Sequence, residues 1–138
     1  MNSSRIAGLI LLGAVLAFGA SAFAAGDAKP VSDEYRADLI NKFPRTNLNT
    51  TPGDAMLLRI LVETRGAQRG IEVGSASGFG AINMGIAFER TGGHLYTLEI
   101  DPEMVKTCRG YVEKMGLEKS VTCVEGDVTH ARIAKELL

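Results

Sequence analysis

A parallel α/β sheet is the fold this chain predicts, on three observations. Short apolar runs of strand length alternate with longer runs whose apolar residues recur at helical spacing. Glycines stand at nearly every junction between them. Two of the helical runs open on a capping residue followed directly by proline, at Thr51-Pro52 and Asp101-Pro102. Strands that alternate with helices across short turns favour parallel pairing, with the helices laid on the faces of the sheet.

The first 25 of the 138 residues stand apart. Arg5 is the one charge before Asp27, and Ile6 to Ala20 is apolar or small throughout. Ala20-Ser21-Ala22 and Ala22-Phe23-Ala24 both have the small-x-small form of a cleavage site. A positive start, an apolar core and such a site define a secretory signal peptide, so export to a periplasm or the exterior is expected. An uncleaved anchor is the alternative, because Ile6 to Ala25 is just long enough to span a bilayer. Residues 26–50 read as an irregular entry arm around Pro30 and Pro44, with a short helix over Tyr35 to Phe43.

The body, residues 51–138, follows in order. Thr51 caps a helix, Pro52 suits its first turn and Asp54 favours the positive end of its dipole. Met56, Leu57, Ile60 and Leu61 share one face of it, and Gly66 stops it. Ile71-Glu72-Val73 is a strand that runs into Gly74-Ser75-Ala76-Ser77-Gly78. A helix over Phe79 to Arg90 is apolar on most sides and belongs close against a sheet. His94 to Ile100 is the second strand. Asp101-Pro102-Glu103 opens a helix that Gly116 closes, with Met104, Val105, Cys108, Tyr111, Val112 and Met115 on its apolar face. Val121 to Val124 is the third strand, and a last helix is expected from about Thr129. Right-handed crossovers place these strands in the order 3-2-1. The fold class is therefore a Rossmann-like parallel sheet with flanking helices, truncated after its third strand. The first strand keeps one edge unpaired, which invites association, and a homodimer is one outcome.

Composition removes several functions. A formal net charge of -1 and an aromatic content of 6% give no basic, stacking surface for nucleic acid. Cys108 and Cys123 have no zinc-binding spacing. Export would allow them to pair, but both fall on apolar faces, where free cysteine behaves as a small buried hydrophobe.

Ligands of open parallel sheets bind beyond the carboxyl ends of the strands. Three groups lie there. Gly74 and Gly78 let the backbone turn tightly and approach a ligand, at the start of a helix that favours anions. Glu99 ends the second strand 21 residues after Gly78, where a carboxylate accepts hydrogen bonds from ribose hydroxyls. Asp127 ends the third strand and either accepts from an adenine amino group or caps the following helix. A dinucleotide fingerprint needs glycine where Ala76 and Phe79 stand. S-adenosylmethionine (SAM) has no pyrophosphate and escapes that requirement. Glu72, entering the loop, suits its methionine end.

At these residues the sequence resembles the class I SAM-dependent methyltransferases. Ile71-Glu72-Val73-Gly74-Ser75-Ala76-Ser77-Gly78 looks like their first motif, Thr97-Leu98-Glu99-Ile100-Asp101 like the second, and Val124-Glu125-Gly126-Asp127-Val128 like the third-strand motif. Glu-Val-Gly followed by the non-glycine Ala76, with the Thr51–Ala67 helix upstream, is most similar to the small-molecule O-methyltransferases of the catechol and caffeoyl-CoA type. The resemblance implies contact of Gly74, Ser75 and Gly78 with the methionine part, Glu99 on the ribose, Ile100 beside the adenine, and Asp127 and Val128 at its edge. It also implies in-line attack by a substrate hydroxyl on the SAM methyl group, so the partner is a small-molecule acceptor. Catechol-type relatives add a divalent metal, but the strand that carries its ligands lies beyond Leu138, and His94 and His130 do not replace it. Catalytic residues are therefore left unassigned, and a fragment is expected. A non-catalytic nucleoside-binding or interaction module is the alternative, and an NAD-linked half-domain a weaker third reading.

Overall fold

The computed structural model describes residues 31–129. The segment read as a signal peptide, His130 and the body of the expected last helix lie outside the described residues. The element order is α1 (Asp33–Asn41), α2 (Pro52–Arg65), β1 (Arg69–Val73), α3 (Phe79–Thr91), β2 (His94–Glu99), α4 (Pro102–Lys114) and β3 (Val121–Glu125). Both strand pairs are parallel, and β2 lies between β1 and β3, which is the expected order.

Each helix starts where its capping chemistry allows. Ser32 accepts from the Tyr35 N–H, Thr51 from that of Asp54, and Asp101 from those of Glu103 and Met104. Capping by Ser32 starts α1 at Asp33, two residues before the expected Tyr35. The helix ends at Asn41 rather than Phe43, because the residue before Pro44 resists helical ψ. Phe43 turns inward instead and packs on Phe79 and Tyr111, with ring centroids 5.1 and 4.3 Å apart. Arg36, 8% exposed, grips Glu89 through both of its terminal nitrogens and donates to the Met115 carbonyl. The arm is thus clamped to α3 and to the end of α4.

α3 is buried along its whole apolar length, from Phe79 to Phe88. Ile82, Ile86, Leu95, Val105, Cys108, Met115 and Leu117 fill the space between α3, α4 and the sheet. Both free thiols belong to this core, as their apolar positions led us to expect.

The face of α2 that carries Met56, Leu57, Ile60 and Leu61 points outward, each of them about half exposed. Ala55 and Val62, on the other side, meet the core, and Glu63 holds Arg59 and Arg90. Strand register puts Ile71 and Val73 on the sheet face opposite α3, and they too are exposed, at 47% and 59%. Parallel sheets are ordinarily covered on both faces. Among the described residues, the helices cover one face only and the outer edge of β1 has no partner strand.

Candidate functional site

The loop from Gly74 to Gly78 leaves β1 and enters α3. Its first two N–H groups, those of Gly74 and Ser75, both donate to the Leu98 carbonyl, at 2.8 and 3.1 Å. Three of its five residues adopt positive φ: Gly74 at 83°, Ala76 at 45° and Gly78 at 97°. For alanine that conformation costs about 1 kcal/mol or more. Ala76 holds it while donating its N–H to Glu99 Oε2 at 2.8 Å. At Gly78 a Cβ would lie 2.8 Å from Cys108 Sγ and 3.0 Å from its Cα, so the loop rests on α4 there. Ser77 donates to Asn49 Oδ1 at 2.9 Å, which ties the loop to the entry arm.

Glu99 is fixed at the end of β2. Its Oε1 accepts from the N–H groups of Ile100 and Asp101, at 2.8 and 3.1 Å, and its Oε2 from Ala76. Three backbone donors from two chain segments therefore aim one carboxylate. Each oxygen of a carboxylate has about two lone-pair sites, so Oε2 keeps acceptor capacity for a further donor.

A cleft of about 160 Å³ opens beside it, lined by Val73, Gly74, Leu98, Glu99, Ile100, Gly126, Asp127 and Val128. Gly126 donates to the Glu99 carbonyl at 2.9 Å, which brings the third strand end against the second. Ile100 is 66% exposed and Val128 43%, so two aliphatic side chains flank the opening with little covering them. Sites that enclose a small molecule commonly measure about 300–1,000 Å³; this cleft is open and smaller.

The other candidates have different surroundings. Ser75, Ala76 and Gly78 do not line the cleft; Ser75 and Ala76 are buried beneath it. The backbone N–H groups of Gly74, Ser75 and Ala76 are all engaged within the protein, so an anion at the methionine end is left to the start of α3. Asp127 Oδ1 accepts from both the N–H and the hydroxyl of Thr129. Glu72 turns away from the cleft toward α3. Its Oε2 accepts from the Thr97 hydroxyl at 2.5 Å, and its Oε1 lies against the backbone of Gly80, in the space a side chain there would fill. The Thr50 methyl is beside it, 3.7 Å from the same point. Burial raises the Glu72 pKa above the usual carboxylate value, and the Thr97 hydrogen bond offsets only part of that.

Two contributors escaped the sequence reading. Thr97, fully buried, is paired with Glu72 in the β1–β2 register, so aligning the two strands would have found it. Asn49 lies in the arm and meets Ser77 across 28 residues, for which no local pattern exists. No metal site accompanies them: among the described residues, no three His, Cys, Asp or Glu side chains are grouped to hold an ion. His94 is engaged with the Lys119 carbonyl and the Thr122 hydroxyl.

With this geometry in view, comparison with known proteins is decisive for the family. The O-methyltransferase family model matches residues 24–135. The chain belongs to that family. Among solved structures, an O-methyltransferase from Bacillus cereus in complex with S-adenosylhomocysteine (SAH) is similar at 21% identity and a TM-score of 0.61, over 78% of this chain and 50% of that one. The SAH-bound methyltransferase PaMTH1 of Podospora anserina is similar at 22% identity and a TM-score of 0.61, over 89% and 56%. The O-methyltransferase TomG of Streptomyces achromogenes, in complex with SAM, gives 21% identity and a TM-score of 0.58, over 73% and 46%. At these identities the likeness is one of fold. The chain spans about half the length of the solved structures it matches. Among curated proteins none matches the sequence.

Proposed function

We propose that this chain binds SAM as the donor half of an O-methyltransferase acting on a small-molecule hydroxyl. The observation that carries the reading is the Glu99 carboxylate, aimed by three backbone N–H groups at the mouth of an open cleft. Glu99 accepts a ribose hydroxyl on Oε2. Ile100 and Val128 flank the adenine, with Asp127 at its edge. Gly74 leaves room for the sulfonium, while Ser75, Ala76 and Gly78 shape the turn below it. Glu72 receives the methionine ammonium on Oε1, which has no hydrogen-bond partner among the described residues. When bound, SAM supplies an electrophilic methyl group on a sulfonium. The chain's own residues orient that group, and rate gained in this way comes from positioning. The described residues do not fit the divalent metal used by catechol-type enzymes, so no step here passes through one.

Calorimetric titration with SAM, and with NAD in parallel, tests the reading. Micromolar binding of SAM with no NAD binding is expected; the reverse preference would establish a dinucleotide site. The alternative, a nucleoside-binding module without catalysis, predicts the same titration but no methyl transfer to any hydroxyl acceptor.

Glu72→Gln separates binding from stability. The folded-state pKa of Glu72 is raised, so its ionisation favours the unfolded chain once pH passes the unfolded value. The neutral amide removes that cost, and its oxygen still accepts from Thr97. The melting temperature of this variant at pH 7 is expected to exceed the parent's, the gain vanishing toward pH 4. Loss of the charge at the ammonium is expected to weaken SAM binding by about tenfold, on the scale of one charged hydrogen bond. Unchanged binding would remove Glu72 from the site.

The β1 edge, without a partner strand among the described residues, and the apolar faces of α2 and β1 support self-association through a second copy about a two-fold axis. Sedimentation of the chain is expected to show a dimer, and Leu57→Glu with Leu61→Glu a folded monomer. A monomeric parent would exclude this pairing. For location, the Arg5 charge, the apolar run and the two small-x-small sites support export. No helix among the described residues is long and apolar enough to cross a membrane.

A further inference from the structure

We propose that Cys108 and Cys123 form a redox-active dithiol beneath the glycine-rich loop, and that its closure to a disulfide weakens the cofactor site above it. The two sulfurs approach to 3.1 Å, joining α4 to β3. Both are free thiols. Cys108 touches the loop at Gly78, which packs on its Sγ, Cβ and Cα. Cys123 stands opposite Thr97 in the β2–β3 register, and Thr97 in turn holds Glu72. A change in the distance between the sulfurs therefore acts on the floor of the loop and lies next to the Glu72 support.

The two thiols differ in a way that suits stepwise oxidation. Cys108 is fully buried, and its contact with Cys123 together with burial drives its pKa far up. Cys123 is 9% exposed, and its pKa is lowered by the hydrogen bond from Cys108, then by the nearby Arg109 guanidinium. Arg109 is held there by its hydrogen bonds to the Cys123 carbonyl, at 3.0 and 3.3 Å. As the more exposed of the two, with the Arg109 guanidinium held beside it, Cys123 is the nucleophile and Cys108 the resolving thiol.

The narrow access favours a small oxidant, and hydrogen peroxide is the reagent class proposed. The Cys123 thiolate attacks one peroxide oxygen, the O–O bond breaks, and hydroxide leaves to take up a proton as water. The Cys108 sulfur then attacks the resulting sulfenic sulfur. The S–O bond breaks, and the departing hydroxyl takes the Cys108 proton as a second water. In sum, two thiols and one peroxide give one disulfide and two waters, with two electrons passing from sulfur to oxygen. The sulfurs draw together by about 1 Å to reach a bond of about 2.05 Å. Cys108 then withdraws from Gly78.

The test uses the chain treated with hydrogen peroxide and the same chain restored with dithiothreitol. Mass spectrometry is expected to find an intramolecular cross-link joining Cys108 and Cys123. Hydrogen exchange of the Ala76 and Gly78 amides is expected to quicken at least threefold in the oxidised form, a readout that needs no cofactor. The SAM dissociation constant is expected to rise at least fivefold and to recover on reduction. Cys123→Ser is expected to form no cross-link and to keep its affinity under peroxide. Absence of the cross-link, or a cross-linked chain with unchanged loop exchange, overturns the proposal. The affinity arm alone rests on the SAM reading. If the reduced chain binds no SAM, that reading fails, and the cross-link and exchange results still decide this one.

Discussion

Replacement of Glu99 by alanine is expected to weaken SAM binding about 100-fold while leaving the fold intact. Oε2 has room for one ribose hydroxyl, and a hydrogen bond to a charged acceptor contributes up to about 3 kcal/mol in binding, or two decades in Kd. The fold survives because Glu99 is part-exposed at a strand end, where water takes over the N–H groups of Ile100 and Asp101. Ala76 is the exception. Its N–H loses the acceptor that accompanies its φ of 45°, so the loop relaxes as well. Glu99→Asp distinguishes the two contributions: the charge is kept, but one methylene is lost and Ala76 is out of reach. Calorimetry on both variants checks this, with melting temperatures within a few degrees of the parent. Full SAM affinity in Glu99→Ala would exclude the ribose assignment.

Gly78→Ala is expected to be the most damaging single substitution in the loop. Two costs coincide there. The residue sits at φ 97°, which a side chain disfavours by about 1–3 kcal/mol. Its new Cβ would also meet Cys108 at 2.8 Å from Sγ and 3.0 Å from Cα, and the latter is backbone that cannot swing aside. Overpacking of this kind adds about 1–3 kcal/mol. A loss near 4 kcal/mol lowers the melting temperature by about 15–30 °C for a domain of this size. Gly74→Ala is the control. Gly74 also has positive φ, but nothing lies within 4 Å of a Cβ there, so it bears only the conformational cost of about 1 kcal/mol. Equal destabilisation of the two variants would show that contact with Cys108 does not set the position of the loop.

Much of the architecture was legible because its signals are local. Thr51-Pro52 and Asp101-Pro102 mark helix starts by capping chemistry, and the glycines at 66 and 92 end helices in left-handed conformations. Alternation then implied the parallel sheet and its strand order. The face of α2 was not legible. Met56, Leu57, Ile60 and Leu61 have the spacing of a core stripe, but spacing reports only that a face is apolar, not what lies against it. The core-facing residues are Ala55 and Val62, beside Glu63 and its two arginines.

The site shows the same division. Glu99 and the two loop glycines were visible because each carries a residue type that the geometry demands at a fixed offset. The path of each side chain was not visible. Glu72 precedes the loop by two residues, yet strand alternation turns it toward Thr97 and Gly80 rather than into the cleft. Asp127 gives its Oδ1 to Thr129, two residues on. Asn49 reaches the loop only through the docking of the arm, which Phe43 and Arg36 anchor from far along the chain.

The most direct test of the central claim is a crystal structure of the chain grown with SAH. A ribose hydroxyl is expected on Glu99 Oε2, the adenine between Ile100 and Val128, and the amino group within hydrogen-bond distance of Glu72 Oε1. A nucleoside bound elsewhere, or a ribose that leaves Glu99 untouched, would contradict the assignment of this cleft to the methyl donor.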